Sequence, residues 1–311
     1  MATKGATKAS TTGFIGLGRM GRPMASNLQK KGHPLAVYDI VAAPVAELAA
    51  LGAVAARSIA DIAKQADIVI TMLPSGVEVE QTLLGPDGVL ANARPGTLII
   101  DMSTVDPQTT DRLAARALEA GMTLVDAPVG RLASHADRGE SLFMVGASEA
   151  DFARAKPLFE AMGNTIHHCG PVGSGGRTKL VNNYLAIVSC QMNAEALALA
   201  QRFGLSLEKT LEVLYGTTAT NGQLKIAWPA KVLAGDIEPG FTIDLAHKDL
   251  SLIVSAANHA KVPMPVGAAA REAFSSARAG SYAKKDFSSM VDALCDTAGI
   301  EKPRLRLGGP R

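Results

Sequence analysis

The stretch GFIGLGRMG at residues 13–21 decides the fold of this chain. It contains G-x-G-x-x-G at Gly16, Gly18 and Gly21, after an apolar run and before a segment of helical pattern. In this context the first glycine permits a tight turn, the second lets a pyrophosphate approach the backbone, and the third lets the helix pack on the strand. The helix N-terminus would attract phosphate charge. The stretch therefore predicts a dinucleotide-binding βαβ unit, with expected cofactor contacts at Gly16, Leu17, Gly18, Arg19, Met20 and Gly21.

An acidic residue follows at the distance that such a unit requires. Asp39 lies 18 residues after Gly21, at the end of the second apolar run, where a carboxylate can bind both ribose hydroxyls. The same carboxylate repels a 2′-phosphate, and the next residue, Ile40, is not an arginine that could bind one. We therefore predict NAD as the cofactor, in preference to NADP. A glycine turn in a βαβ protein that binds no nucleotide is the alternative.

Short apolar runs alternate with helical patterns through the first half of the chain. This alternation is typical of βαβ units around a parallel sheet that is buried on both faces. The predicted strands are Gly13–Ile15, Leu35–Asp39, Ile68–Leu73, Thr97–Asp101, Thr123–Val125 and Leu142–Gly146. The predicted helices include Met20–Lys30, Val45–Leu51, Pro107–Ala120 and Glu149–Met162. Two segments stand at the carboxyl ends of predicted strands and should therefore meet the cofactor: residues 72–74, with Leu73 and Pro74, and residues 101–104. Each segment could equally be a plain turn between a strand and a helix.

The pattern changes after residue 169. Residues 170–176 are a Gly-rich loop signal, and residues 177–203 contain no Pro or Gly before Gly204, a typical helix C-cap. Such a helix would span about 40 Å and could pass between domains. Further helical patterns cover Leu207–Tyr215, Leu245–His259, Val266–Ala279 and Phe287–Ala298. We predict an α/β fold: a Rossmann-type parallel-sheet domain at residues 12–173, then an all-helical substrate and oligomerisation domain at residues 174–301, joined by the long interdomain helix.

Composition excludes several classes of function. The 311 residues are 47% hydrophobic, and 31 basic against 29 acidic residues give a net charge of +2, which argues against nucleic acid or a membrane surface as the partner. Three widely spaced cysteines without CxxC indicate neither a disulfide framework nor a metal site. The chain has no apolar run of about 18 residues, and its first twelve residues lack the apolar region of a secretory signal. We expect a cytoplasmic protein.

The predicted long helix carries three polar residues on one face. Lys179, Asn182 and Asn183 are spaced i, i+3 and i+4, among apolar neighbours such as Val181 and Leu185. This pattern predicts a largely buried helix whose polar groups face a cleft. A lysine ammonium held by two amides could protonate the alkoxide that hydride transfer leaves, and burial beside a cofactor should lower its pKa toward neutrality. A satisfied polar patch at a domain interface is equally compatible with the pattern.

Four ordered motifs resemble the β-hydroxyacid dehydrogenase family over about residues 12–300. They are FIGLGRMGRPMA at residues 14–25, DAPV at 126–129, the segment from Gly173 to Asn183 that ends in Lys-x-x-Asn-Asn, and KDL at 248–250. The resemblance implies that Lys179 is the acid/base, that Asn183 orients the substrate, and that Thr104 and Lys248 touch the cofactor. Imine reductases share this fold but replace the lysine, so Lys179 argues against that branch. The family also implies a homodimer or homotetramer, with the helical domain as the assembly surface.

One departure from the family pattern concerns the substrate. Most members follow DAPV with Ser-Gly-Gly, whereas this chain has Gly130, Arg131 and Leu132. The Val-Gly-Arg variant is similar to the sulfolactaldehyde reductase branch, which implies NADH-dependent reduction of 3-sulfolactaldehyde to 2,3-dihydroxypropane-1-sulfonate. A planar guanidinium at Arg131 could bind the substrate's terminal anion, with Gly130, Asn182 and Asn183 as further substrate contacts.

Other substrates and one other class of function stay open. Leu132 stands where that branch has a small hydroxyl residue, so 3-hydroxyisobutyrate, 4-hydroxybutyrate and tartronate semialdehyde (2-hydroxy-3-oxopropionate) are alternatives. Arg131 could also be a solvated loop residue. The alternative from another class is a dinucleotide-binding protein without activity, and Lys179, Asn182 and Asn183 beside an intact glycine loop argue against it.

Overall fold

The computed structural model describes residues 11–305. The N-terminal segment that the sequence distinguishes from a secretory signal therefore lies almost wholly outside the described residues. The chain divides into two compact units, the first ending at Lys179 and the second beginning at Leu180.

The first unit is an alternation of strands and helices. Its strands are β1 (Thr12–Ile15), β2 (Leu35–Tyr38), β3 (Val54–Ala55), β4 (Ile68–Thr71), β5 (Leu98–Asp101), β6 (Thr123–Asp126), β7 (Val129–Gly130), β8 (Ser141–Gly146) and β9 (Gly163–Gly170). Its helices are α1 (Gly21–Lys30), α2 (Ala42–Ala50), α3 (Ile59–Gln65), α4 (Gly76–Leu84), α5 (Val89–Asn92), α6 (Pro107–Glu119), α7 (Ala133–Asp137), α8 (Glu149–Met162) and the start of α9 (Ser174–Arg202). All six predicted strands are confirmed, with ends that differ by one or two residues.

The strands form one sheet in the order β3-β2-β1-β4-β5-β6-β8-β7, with β9 beside β8. The pairs from β3 to β6 are parallel, but β8 pairs antiparallel with both β6 and β7. The predicted Rossmann-type domain with a parallel sheet is confirmed, and the antiparallel pairing of β8 with β6 and β7 is a local departure at this edge. A parallel pair needs a crossover of about a dozen residues or more, and the connection from β7 to β8 contains only the short helix α7.

Both faces of the sheet are covered by apolar side chains. Ile70 and Ile100 belong to one buried cluster, while their neighbours Val69 and Ile99 belong to another. Successive side chains of a strand point to opposite faces, so each strand contributes to two cores. This is why β4 and β5 read as continuous apolar runs. The strand order places the carboxyl end of β4 beside that of β1, where the order reverses and ligands bind in such sheets.

The second unit is helical. It contains the rest of α9, α10 (Leu207–Tyr215), α11 (Ile243–His259), α12 (Pro265–Arg278) and α13 (Met290–Ala298). Short π and 3-10 turns occupy Gln223–Ala227, Trp228–Ala230, Val232–Ala234 and Phe287–Ser289, and the fully buried Trp228 lies in the unit's apolar core. Within the described range, no helix is long and apolar enough to cross a membrane.

Helix α9 differs from its prediction in two ways. It begins at Ser174, inside the Gly-rich segment that predicts a loop, so the loop covers only residues 171–173. It is also not largely buried, because Val181 and Leu185 are 66% and 64% exposed. Leu180 and Ile187 are buried, so the helix packs with one face and leaves another apolar face uncovered.

Candidate active site

The glycine loop joins β1 to α1 in a conformation that only small residues permit. Gly16 has a φ of 95°, and a Cβ there would lie 2.3 Å from the carbonyl oxygen of Met72. A Cβ at Gly21 would lie 1.9 Å from the carbonyl oxygen of Gly16. Both distances are far below van der Waals contact, so each glycine is required for the tight turn or for the approach of α1 to it.

The middle of the loop is open. A Cβ at Gly18 would have no atom within 4 Å, and the first turn of α1 carries no acidic residue. Arg19 is exposed and Met20 is half-buried, whereas the side chain of Leu17 is buried in the core. The loop thus presents backbone and the positive end of a helix, the arrangement that binds a pyrophosphate.

Asp39 connects the second strand to this loop. Its carboxylate accepts hydrogen bonds from the Leu17 N–H at 2.6 Å and from the Val41 N–H at 2.8 Å. Two carboxylate oxygens offer about four lone-pair positions, so acceptors remain for two ribose hydroxyls. Ile40 is 91% exposed and brings no positive charge to a 2′-phosphate. These residues fit NAD.

Buried polar side chains hold the segments that follow β4 and β5. The Leu73 N–H donates to Ser103 Oγ at 2.9 Å, and Ser103 N–H and Thr71 Oγ1 donate to one oxygen of Asp101. Burial raises the pKa of the Asp101 carboxyl group, and the hydrogen bonds from Ser103 and Thr71 lower it only in part. The sequence pattern does not indicate this bridging role of Asp101 and Ser103, although both lie in the segment 101–104 that follows β5. Pro74 is exposed and Thr104 is half-buried.

Lys179 is held by the DAPV segment. Its Nζ donates to the carbonyl oxygen of Val129 at 2.7 Å, and its side chain is half-buried. Gly130, the next residue, is buried, and a Cβ there would lie 3.1 Å from Leu142 Cδ2. The first unit therefore brings together two of the predicted site residues, Lys179 and Gly130, through the backbone of Val129.

Arg131 has a different environment. Its φ is 71°, a left-handed conformation that is uncommon for a side-chain-bearing residue. The exposed guanidinium donates to the Glu140 carbonyl oxygen at 2.6 Å, to Asn164 Oδ1 at 2.6 Å and to Thr165 Oγ1 at 2.9 Å. These bonds use Nη1 and Nη2 and tie the loop after β7 to β9. The Nε–H is not engaged in any of them.

The second unit groups the predicted amides around an acidic residue. Asn182 Nδ2 donates to Asn183 Oδ1 at 3.0 Å, and Asn183 Nδ2 donates to Asp249 Oδ2 at 2.7 Å. Lys248 Nζ lies 3.0 Å from Asp249 Oδ1. Asn183 and Asp249 are buried, whereas Asn182 is exposed. Asp249 was missed from the sequence, although it stands inside the quoted KDL motif.

The arrangement supports dinucleotide chemistry. Among residues 11–305, no group of three or more His, Cys, Asp or Glu side chains could hold a metal ion. The described residues include a glycine loop with an open backbone, the Asp39 carboxylate beside it and the Lys179 ammonium, which are groups that can bind a phosphate, bind a ribose and move a proton. This set suits hydride transfer at a carbonyl or alcohol carbon.

Two family models match the chain. Residues 11–170 match the NAD-binding domain of 6-phosphogluconate dehydrogenase, and residues 173–294 match the NAD-binding model of NADP-dependent 3-hydroxyisobutyrate dehydrogenase. The two matched segments meet close to the start of α9.

Curated and solved proteins are similar over nearly the whole length. The 3-sulfolactaldehyde reductase of Escherichia coli is 42% identical over 287 residues, which are 92% of this chain and 96% of that protein. The NAD-dependent L-serine dehydrogenase of Pseudomonas aeruginosa is 40% identical over 289 residues, 91% of this chain and 97% of that protein. A structure of Mycobacterium tuberculosis 3-hydroxyisobutyrate dehydrogenase with L-serine has a TM-score of 0.85 and 34% identity, and the match covers 92% of this chain and 99% of that chain.

Proposed function

The chain belongs to the β-hydroxyacid dehydrogenase family, whose members include 3-hydroxyisobutyrate dehydrogenase, and from this premise we propose that it is an NADH-dependent reductase of a short anionic aldehyde. Membership itself makes the protein an NAD-dependent oxidoreductase that acts on a hydroxy acid. The proposal adds the leading substrate, 3-sulfolactaldehyde, which the enzyme reduces reversibly to 2,3-dihydroxypropane-1-sulfonate. The observation that carries the proposal is the Lys179 ammonium, held by Val129 directly before Gly130 and Arg131.

Lys179 supplies the proton that the reaction needs. The bound cofactor provides the hydride that turns the aldehyde carbonyl into an alkoxide. Lys179 donates its proton to that oxygen and takes it back when the alcohol is oxidised, and such proton transfer contributes about 10²–10⁴-fold to the rate. The Val129 carbonyl holds Nζ during both reduction and oxidation, because the neutral amine of Lys179 keeps an N–H that can donate to the same oxygen.

The amides of α9 orient the substrate. Asn183 uses one Nδ2–H on Asp249, and its second N–H is directed to the substrate oxygen in this proposal. Asn182 fixes the orientation of Asn183 by donating to Oδ1. A buried amide held on both sides is pre-organised, so little entropy is lost when the substrate binds.

Arg131 supports an anionic substrate, and a curated relative makes the sulfonate the leading one. The Nε–H of Arg131 and the second N–H of its Nη2 can donate to the oxygens of a terminal anion, as a guanidinium does for carboxylate or sulfonate. A curated relative at 42% identity reduces 3-sulfolactaldehyde. The alternative substrates, 3-hydroxyisobutyrate, 4-hydroxybutyrate and tartronate semialdehyde, carry a carboxylate in place of the sulfonate.

Replacement of Lys179 tests the acid/base role. Lys179→Ala should lower kcat by about 10²–10⁴-fold, because the alkoxide then lacks a proton donor. NADH affinity, measured by fluorescence titration, should stay within about twofold. Lys209→Ala, which removes an exposed lysine paired with Glu212, is the matched control and should retain full activity. More than about a tenth of wild-type kcat in Lys179→Ala would assign the proton transfer to another group.

A substrate survey tests the specificity. With NAD in the oxidation direction, we expect kcat/KM to be highest for 2,3-dihydroxypropane-1-sulfonate, compared with 3-hydroxyisobutyrate and 4-hydroxybutyrate. Tartronate semialdehyde is compared with 3-sulfolactaldehyde in the reduction direction. If kcat/KM is higher for one of the carboxylate compounds than for the sulfonate, that carboxylate compound is the substrate. NADH binding without turnover of any of these compounds would favour a non-catalytic dinucleotide-binding protein.

A further inference from the structure

The first turn of α9 is capped by a carboxylate from a distant strand. Asp126, at the end of β6, is 3% exposed. Its Oδ1 accepts the Gly173 N–H and its Oδ2 accepts the Gly176 N–H, both at 2.6 Å. Gly173 directly precedes the helix, so these are the two N–H groups that the two side chains of a capping box satisfy. Here a single carboxylate satisfies both from outside the helix.

Glycines surround this carboxylate. A Cβ at Gly146 would lie 2.3 Å from Asp126 Oδ1. A Cβ at Gly175 would lie 2.6 Å from the Asp126 carbonyl oxygen and 2.3 Å from the Met144 carbonyl oxygen. Neither position has room for a side chain, so the glycines let the helix start approach Asp126 this closely. We call Gly146, Gly173, Gly175 and Gly176 the glycine cradle of Asp126.

The same segment holds the lysine of the proposed reaction. Lys179 lies one helical turn after Gly176, and its Nζ donates to the carbonyl oxygen of Val129, three residues after Asp126. Residues 126–129 therefore hold α9 at two points, at the N-terminus by the carboxylate and at Lys179 by a carbonyl group. The nearby Arg177–Asp111 ion pair also attaches this turn, but about half of each of its side chains is exposed, so it constrains the helix less.

We propose that Asp126 is a positioning residue for Lys179, because its ionised carboxylate fixes the start of α9 at the distance from which the ammonium reaches Val129 and the substrate oxygen. This inference rests on the proposed acid/base role of Lys179. A protonated carboxyl group loses acceptor capacity and gains an O–H donor, so it cannot accept both N–H groups equally well. It also loses the negative charge that the N-terminus of a helix favours.

The environment of Asp126 makes this cap sensitive to mild acid. Burial raises the pKa of the Asp126 carboxyl group to about 6; the Gly176 and Gly173 N–H groups lower it in part, and the charge of Asp101 raises it further. Asp101 is its register partner on β5, and the charge of Asp126 also acts on Arg177 of α9, whose pKa it raises. The ionised, capping form therefore predominates only above about pH 6. We expect the wild-type kcat to fall on the acid side of that value, by about tenfold at pH 5.

Asp126→Asn is the direct test. Asn keeps the shape but has a single acceptor oxygen, so one N–H at the start of α9 loses its partner. We expect kcat at pH 7.5 to fall by about 10- to 100-fold, the scale of a small misplacement of a catalytic group. The Kd for NADH should stay within about twofold, and the residual kcat should lack the acid limb near pH 6. A merely structural role would lower activity without removing that limb.

Asp111→Asn is the matched control. It removes the exposed carboxylate that pairs with Arg177 on the same helical turn, and kcat should stay within about twofold with the acid limb intact. Unchanged kcat in Asp126→Asn, or an unchanged acid limb, overturns the inference. If Lys179→Ala retains activity, the proposed acid/base role of Lys179 fails and the present inference fails with it; if Lys179→Ala loses activity and Asp126→Asn does not, only the present inference fails.

A measurement on the wild-type protein covers the case in which Asp126→Asn does not fold. The ¹H and ¹⁵N shifts of the Gly173 and Gly176 amides should titrate together with a midpoint near pH 6, and the acid limb of kcat should have the same midpoint. Amide shifts that stay constant between pH 5 and 7, or a limb whose midpoint differs from theirs by more than about one unit, would contradict the positioning role.

Discussion

Asp39 serves the glycine loop and the proposed ribose site with one carboxylate. Because it accepts the Leu17 N–H at 2.6 Å, the charge that repels a 2′-phosphate is fixed beside the loop. We expect kcat/KM for NADH to exceed that for NADPH by at least about tenfold, equivalent to about 1.4 kcal/mol. Asp39→Ala should weaken NADH binding, and the double variant Asp39→Ala, Ile40→Arg should begin to accept NADPH.

Steady-state kinetics with both cofactors check this prediction. Equal kcat/KM for NADH and NADPH in the wild-type protein would contradict the assignment of Asp39. Thermal unfolding of Asp39→Ala separates lost ligand binding from a disturbed loop, because the variant also removes the acceptor of two backbone N–H groups.

Arg131 carries the prediction that discriminates best between substrates. A charge-assisted contact contributes about 1.5–3 kcal/mol, so Arg131→Ala should lower kcat/KM for anionic substrates by about 10- to 150-fold. A neutral aldehyde of the same length should be hardly affected. An arginine that only ties β7 to β9, through Asn164 and Thr165, would lower stability and affect all substrates equally.

Arg138→Ala is the control for Arg131. Arg138 is an exposed arginine of the same segment, paired with Glu140, and its removal should leave kcat/KM unchanged for both kinds of substrate. Equal losses for anionic and neutral aldehydes in Arg131→Ala, or no loss for either, would remove the anion-binding role and with it the main support for a sulfonate.

At the scale of elements, a strand or helix can be predicted from the sequence when the pattern that indicates it lies within the element itself. The strands around the glycine loop and the helix α8 follow from apolar periodicity, and their bounds differ little from the prediction. Strands β3 and β7 have two residues each and are too short for any period to show. Strand β9 has the sequence GNTIHHCG and pairs in parallel with β8. Its sequence shows no alternation of apolar and polar residues that would indicate this pairing.

The start of α9 shows why a glycine-rich signal can mislead. Gly175 and Gly176 are helical although glycine is among the poorest helix formers. The cap from Asp126 lies 47 residues away from Gly173 along the chain, so no local window contains it. Asp249 accepts from Asn183, 66 residues away, and Asp101 accepts from Thr71, 30 residues away. Helical spacing alone therefore indicates Lys179 and the amides but not these carboxylates.

The uncovered face of α9 predicts self-association. Val181, Leu185, Met192 and Leu199 of α9 are all more than half exposed, and at about 100° per residue they fall within about 40° of one another around the helix. Phe203, directly after the end of the helix at Arg202, is also more than half exposed and extends this apolar stripe. A continuous apolar stripe of this kind is typical of a helix–helix contact. We propose a second copy of this chain as its occupant, in a homodimer or within a homotetramer.

Charge placed on this stripe should separate the copies. The double variant Leu199→Glu, Phe203→Glu should shift the mass measured by light scattering to that of a monomer. Val213→Glu, at an exposed position on α10 outside the stripe, is the control and should leave the mass unchanged. A wild-type protein that is already monomeric at micromolar concentration would refute the proposal.

At the scale of the whole molecule, stability and activity should respond to pH in opposite directions. The pKa of Asp126 is raised from 3.8 to about 6, so its contribution to stability is complete below pH 3.8 and is lost as the pH rises through 6. Relative to Asp126→Asn, the wild-type free energy of unfolding should fall by about 1 kcal/mol between pH 5 and 7. Denaturant unfolding of both proteins at the two pH values measures this difference, and no difference would show that Asp126 titrates normally.

The glycine cradle sets boundaries on laboratory evolution of this protein. Gly→Ala replacement, a common route to higher stability, is closed at Gly146 and Gly175, where a methyl group would meet a carboxylate or carbonyl oxygen. Mutant libraries that are screened for activity on new aldehydes should therefore leave these glycines unchanged. Arg131 and Leu132 lie outside the cradle, and they are exposed and half-buried, respectively. Substitutions there vary the proposed anion contact while the segment that holds Lys179 stays unchanged.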